Sequence, residues 1–264
     1  MRRLIAFPCG EAELAGSLDA GEGRIGLVMV TGGSQTRIGS HRMYERLSKA
    51  LVEKGYSCLR FDRRGVGDSA GEDPGFEGSE PDITAAVAAL YDACPALERV
   101  YGFGLCDGGT ALALHGLAAG LDGVILVNPW LVETEADSPA PAAIRAHYRK
   151  RLMSLEGWKK IVSGAVDYRK LLRSVRSATA SRRHSSLAEK AAFGLTIGVY
   201  PVWLIVADGD ATAIAALDQI ANAELGFPIE GRETIRSDSH TFARAGDEAA
   251  LATATVRALK AIDR

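Results

Sequence analysis

Short runs of residues that are apolar at nearly every position alternate with longer stretches of helical spacing. Gly26–Val30, Ser57–Asp62, Val100–Gly104, Gly123–Asn128 and Val202–Ala207 are the runs. Ile229–Ile235 leaves room for a last strand, and Leu4–Pro8 with Glu13–Leu18 predicts an opening hairpin. Met43–Lys54, which stops at Gly55, and then Ile83–Cys94, Gly108–Ala119 and the closing Glu248–Ile262 read as helices. Strands that are apolar throughout must be covered on both faces. Separated by helices, they predict an α/β fold with a mostly parallel central sheet flanked by helices.

The alternation stops between about Trp130 and Leu195. From Arg145 to Lys190 there are 13 lysines and arginines against 3 acidic residues, while the rest of the chain has 18 against 30. A segment with its own charge sign between two sheet strands reads as a helical lid. The expected division is a core of 1–129 and 196–264 with an insertion at 130–195. Trp158, Tyr168 and Leu172 are its expected inner face, and most of its cations are expected to form a solvated outer face.

Composition narrows the classes. With 47% hydrophobic and 24% charged residues in 264, the chain can bury a core. A formal charge of −2 gives no reason to expect nucleic-acid binding. No apolar run reaches the length of a membrane span, and the apolar stretch after Arg3 is too short for a secretory signal. Cys9, Cys58, Cys94 and Cys106 form no CxxC pair or zinc-type cluster. Reduced thiols in a cytoplasmic setting are therefore expected, with no metal and no cofactor.

The sharpest candidate chemistry is Gly102-Phe-Gly104-Leu-Cys106-Asp107-Gly108-Gly109, between a strand and a helix. Gly104-x-Cys106-x-Gly108 is a nucleophile-elbow pattern with cysteine in the serine position. A strand that turns sharply into a helix leaves no room for side chains two positions either side of its tip. The helix start also favours thiolate over thiol. Two other readings exist. The glycines depart from the GxGxxG spacing of a dinucleotide site, and the next strand ends in Asn128-Pro-Trp without a ribose-binding carboxylate. Cys106 read as a buried thiol at a tight turn is the other.

Chain order supports the elbow. A nucleophile at such an elbow takes its acid after a late strand and its histidine after the last one. Val202–Ala207 runs into Asp208-Gly-Asp210, and Ile229–Ile235 into Arg236-Ser-Asp-Ser-His240. Asp210, further out on its loop, is preferred over Asp208. Of the other histidines, His115 points away from the elbow, His147 and His184 lie in the basic segment, and His41, which has a place from which to line the site, is expected instead to cap or pack. Thr31-Gly-Gly33-Ser34 follows the first central strand. It is expected to supply one oxyanion N–H, from Gly33 or Ser34, with Asp107 giving the other. Phe61-Asp62-Arg-Arg-Gly65-Val-Gly67-Asp68-Ser69 reads as a structural loop locked by ion pairs.

Taken together, these motifs resemble the α/β-hydrolase superfamily nearly end to end outside the insertion. RFDRRGVGDSAGE is similar to its RxDxRGxGxS loop. The set GGSQTRIGSHR, RFDRRGVGDS, GLCDGGTA, DGDATA and DSHTF resembles the exosortase A system-associated hydrolases, subfamily 1, bacterial proteins of exopolysaccharide and protein-sorting loci. By position the resemblance implies an α/β-hydrolase fold, Cys106 as nucleophile, Asp210 as acid, His240 as base and an oxyanion hole at Gly33 and Asp107. Thr31 stands where histidine is frequent, and Ala207 where glycine is. The cysteine resembles that of the dienelactone hydrolases.

The expected reaction is cleavage of a small-molecule ester or thioester, which a phosphopantetheine carrier would present if the basic segment attracts it. Acyl transfer to a sugar or alcohol, and a non-catalytic binding protein on the same fold, are the alternatives. The substrate and the oligomeric state are not legible in the sequence.

Overall fold

In the computed structural model, residues 2–132, 185–197 and 200–263 are described. The strands are β1 (Arg2–Cys9), β2 (Ala12–Asp19), β3 (Ile25–Val30), β4 (Ser57–Phe61), β5 (Arg99–Leu105), β6 (Val124–Val127), β7 (Val202–Ala207) and β8 (Ile229–Ile235). The described helices are α1 (Met43–Val52), α2 (Glu80–Ala93), α3 (Asp107–His115), α4 (Ser186–Thr196), α5 (Ala211–Asn222) and α6 (Asp247–Ile262). The sheet order is β1-β2-β4-β3-β5-β6-β7-β8. The hairpin β1–β2 joins antiparallel to β4, and every pair from β4 to β8 is parallel.

The unbroken apolar runs arise because both sheet faces are dry. Along β3, Val28 and Val30 enter one apolar layer, while Leu27 and Met29 enter the other. Along β6, Val124 and Leu126 alternate in the same way with Ile125 and Val127. The first layer packs under α2, α3, α4 and α5 through residues such as Ile83, Leu112, Ala191 and Ala216. The second packs under α1 and α6 through Leu47, Leu51, Leu251 and Leu259. This is the predicted α/β architecture of a mostly parallel sheet between helices.

Two helices add to the sequence reading. The alanine-rich α5 opens on Asp210, which caps it. Helix α4 lies inside the segment read as an insertion, yet it is docked on α3: a Cβ at Gly194 would come within 2.4 Å of the Ala113 carbonyl. Trp158, Tyr168 and Leu172 lie outside the described residues.

After β3 the chain crosses to β4 on one side, and later to β5 on the other. The order therefore reverses between β3 and β5. The crevice outside their carboxyl ends is where open parallel sheets place ligands. The Thr31–Ser34 loop and Cys106 flank it.

Candidate active site

Cys106 stands between the last residue of β5 and the first of α3, with φ 60° and ψ −129°. A non-glycine residue holds such a backbone only where its surroundings over-determine it. Here they do. Cys106 N–H donates to Val127 O at 3.0 Å, and its carbonyl accepts from Gly109 N, Thr110 N and Trp130 N at 3.0–3.2 Å. Beneath the turn, the wholly buried Tyr44 hydroxyl donates to Val30 O at 2.8 Å and accepts from Leu105 N at 3.1 Å, tying the ends of β3 and β5 together. Burial pushes the Tyr44 phenol up, which keeps it a neutral donor.

The glycines of the motif are required by close approach. A Cβ at Gly104 would sit 2.4 Å from Gly108 O, and one at Gly108 would sit 2.4 Å from Val30 O. At Gly32 it would meet Asp107 Oδ1 at 2.5 Å. Glycine to alanine within a helix ordinarily stabilises by about 1 kcal/mol. Gly108→Ala, within α3, is expected to do the opposite and destabilise by about 1–3 kcal/mol through overpacking against β3. Urea unfolding midpoints check this, and a variant more stable than the parent would contradict the tight crossing.

His240 lies in the loop after β8. Its Nδ1 is 2.9 Å from Asp210 Oδ2. Asp210 is only 6% exposed, and the same oxygen accepts from Ala213 N at 2.9 Å, so capping α5 also fixes the carboxylate facing the ring. Asp208 turns elsewhere, its Oδ1 accepting from Ser237 N at 3.1 Å. Burial opposes a charge on His240. Hydrogen bonds to Asp210 and to Cys106 outweigh it and raise the imidazole from its ordinary value to about 10. The structure thus brings Cys106, His240 and Asp210 together from three strand ends, with a hydrogen bond between His240 and Asp210.

The oxyanion candidates meet each other. Gly33 N–H donates to Asp107 Oδ1 at 2.6 Å, and Gly33 O accepts from Arg63 Nη2 at 2.6 Å. A carboxylate oxygen already rests on an N–H that the sequence assigns to a developing anion. Arg63 is 3% exposed and draws the following carbonyl the other way.

Asn128 and Tyr44 hold this row without having been singled out in the sequence. The Asn128 amide accepts from Ala207 N at 2.8 Å and donates to His240 O at 2.9 Å. The Asn-Pro break at a strand end was its available signal. His41 packs, its Nε2 lying 2.8 Å from Thr241 O. His115 lies at the far end of α3, with Nδ1 3.6 Å from Glu80. His147 and His184 fall outside the described residues. Cys9 and Cys58 are buried, and Cys94 and Cys106 are half-buried.

The loop after β4 is structural. Asp62 is wholly buried and accepts from the backbone N–H groups of Arg37 and Asp68 and from the Arg37 guanidinium. Gly67 leaves space for that carboxylate, and Arg64 grips Asp82 with several bonds. Among the described residues no three His, Cys, Asp or Glu side chains converge as a metal site requires, and no helix is long and apolar enough to cross a membrane.

The sequence profile of the alpha/beta hydrolase family matches residues 27–254. The chain belongs to that family. No curated protein sequence matches this alpha/beta hydrolase. Its fold is similar to that of an esterase of Pyrococcus furiosus, at 15% identity and TM-score 0.65, covering 99% of this chain and 93% of the other. It is also similar to an alpha/beta hydrolase of Penicillium sp. sh18, at 16% identity and TM-score 0.68 with 99% of both chains covered. A dienelactone hydrolase of Anabaena variabilis aligns at 17% identity and TM-score 0.63, over 99% and 98% of the two chains.

Proposed function

We propose that this alpha/beta hydrolase cleaves a carboxylic ester or thioester, with Cys106 as nucleophile, His240 as base and Asp210 as the acid that orients it. The observation that carries this reading is the arrangement itself: a half-buried cysteine at a strained turn, with an imidazole hydrogen-bonded to a capped carboxylate at the neighbouring strand ends.

The Cys106 sulfur attacks the acyl carbonyl as a thiolate, its proton having passed to His240. The carbonyl oxygen becomes an oxyanion, bound by the N–H groups of Asp107 and Gly33. The Asp107 carboxylate leaves Gly33 N–H as the substrate oxygen arrives. Collapse expels the alcohol or thiol, which takes the proton from His240, and leaves a thioester on Cys106. Water, deprotonated by His240, releases the acid.

A thiolate attacking a thioester exchanges like for like, so thioesters, activated esters and lactones suit this nucleophile better than amides. The resemblance to the exosortase-associated hydrolases and the cysteine elbow both fit a small acyl substrate in the cytoplasm. The reading takes the insertion at 130–195 as cover for the site, most of its basic residues forming a solvated outer face. The same row in a drier site would transfer the acyl group to an alcohol.

Matched nitrophenyl esters and acyl thioesters of increasing chain length, with and without a polyol, test these readings. Turnover of thioesters and short activated esters to free acid is expected. Acyl-polyol as the main product would make the protein a transferase, and no turnover of any reporter would remove the reading.

A further inference from the structure

Asn128 lies where the ends of β6 and β7 and the His240 loop meet. It is wholly buried and its φ is 39°. Its N–H still makes a sheet bond, to Ile205 O at 3.0 Å. In a continuing parallel ladder the next rung would run from Ala207 N to the Asn128 carbonyl. The positive φ turns the main chain away toward Pro129, and Oδ1 makes that rung instead, at 2.8 Å. The other half of the amide donates to His240 O at 2.9 Å.

The same short turn holds Cys106. Val127 O accepts from Cys106 N, and Trp130 N donates to Cys106 O. Ala207, which Oδ1 grips, ends the strand leading to Asp210. One turn of chain thus bonds the nucleophile through its backbone, the base through the Asn128 amide and the acid's strand through the same amide. The neighbouring peptide of His240 is held separately by His41 on Thr241 O. The His240 side chain is 31% exposed, so apolar packing alone does not fix it.

We propose that Asn128 is a positioning residue that sets the distance between His240 and Cys106 by holding the His240 carbonyl to the turn that also holds the nucleophile. It touches neither substrate nor the reacting atoms. The inference rests on the proposed roles of Cys106 and His240.

Asn128→Ala removes both halves of the amide. Asn128→Asp, assayed near pH 8, keeps the acceptor for Ala207 N and removes the donor to His240 O. Ser48→Ala on α1, which deletes a buried bond to Asp19 at the end of β2, is the control for lost stability alone. Each protein is assayed on the best reporter well below its melting temperature, and its His240 ring is titrated by NMR. Both Asn128 variants are expected to lose about 10–100-fold in kcat with KM within about threefold, since small misplacements of reacting groups cost this much. Their His240 midpoint is expected to fall from about 10, because a displaced ring moves away from Asp210 and Cys106, whose interactions raise it. Ser48→Ala should change neither. If Asn128→Ala fails to fold, Asn128→Asp carries the test.

A folded variant with unchanged kcat and titration overturns the proposal, as does an equal loss in Ser48→Ala. Cys106→Ala run alongside keeps the two ideas apart. If it is inactive while the Asn128 variants are fully active, the positioning role alone fails. If it remains active, the nucleophile assignment fails.

Discussion

Replacing Cys106 by alanine is expected to lower kcat on any accepted ester or thioester by about 10³-fold or more, as loss of a nucleophile does in triad enzymes. Fold and melting temperature should change little. Cys106 is held by its backbone, to Val127, Gly109, Thr110 and Trp130, and alanine keeps all of those bonds. The loss would therefore report chemistry rather than unfolding. Alkylation gives a second measure in the native protein. Cys58 is wholly buried and its thiol is pushed up to about 12 by burial, and Cys9 is 6% exposed with its thiol also raised by burial. Both should resist iodoacetamide. Cys94 is half-buried but is not at the elbow, whereas Cys106 sits at the strained turn with His240 in the adjoining loop. Cys106 should be modified first, with activity lost in proportion. Retained activity after complete modification of Cys106, or near-normal turnover by Cys106→Ala, would make the elbow a structural turn.

What the chain reveals before folding follows from which forces are local. The sheet is legible because β3, β5, β6 and β7 bury both faces, and that leaves an unbroken apolar signature in each. The elbow is legible because steric exclusion at Gly104 and Gly108 acts within a few residues of Cys106. Helix α5 is not legible because Asp210 reads as an acid in the sequence, and only the fold shows that it is also a cap. Helix α4 was absorbed into the basic segment by its place in the chain, whereas its buried face, Leu187, Ala188, Ala191 and Leu195, is set by packing on α3. The contact of Asp107 with Gly33 joins residues 74 apart and depends on which way a side chain turns, which no spacing encodes. The same holds for Asn128, whose partners lie 79 and 112 residues further along.

Asp210→Asn should be the second most damaging change, and it separates charge from shape. Asparagine caps a helix about as well as aspartate, so the bond to Ala213 N and the start of α5 survive. What is lost is the negative charge 2.9 Å from His240 Nδ1. The neutral amide oxygen that keeps the cap cannot stabilise the imidazolium as the carboxylate does, and the comparable change in a serine triad costs about 10⁴-fold in kcat. A loss of about 10³–10⁴-fold is expected here. Asp210→Ala should lose as much and, lacking the cap, about 0.5–2 kcal/mol of stability besides. The pH dependence carries its own sign. The imidazole is raised from 6.5 to about 10 in the folded protein, so its interactions stabilise the fold fully below pH 6.5, and that contribution fades as pH rises through 10. Without the carboxylate the midpoint should fall back toward 6.5. The stability gap between parent and Asp210→Asn should then be widest near pH 6 and close above pH 10. Denaturation midpoints across that range measure it. A gap that widens with pH, or an Asp210→Asn enzyme with parental kcat, would show that His240 takes its orientation from elsewhere.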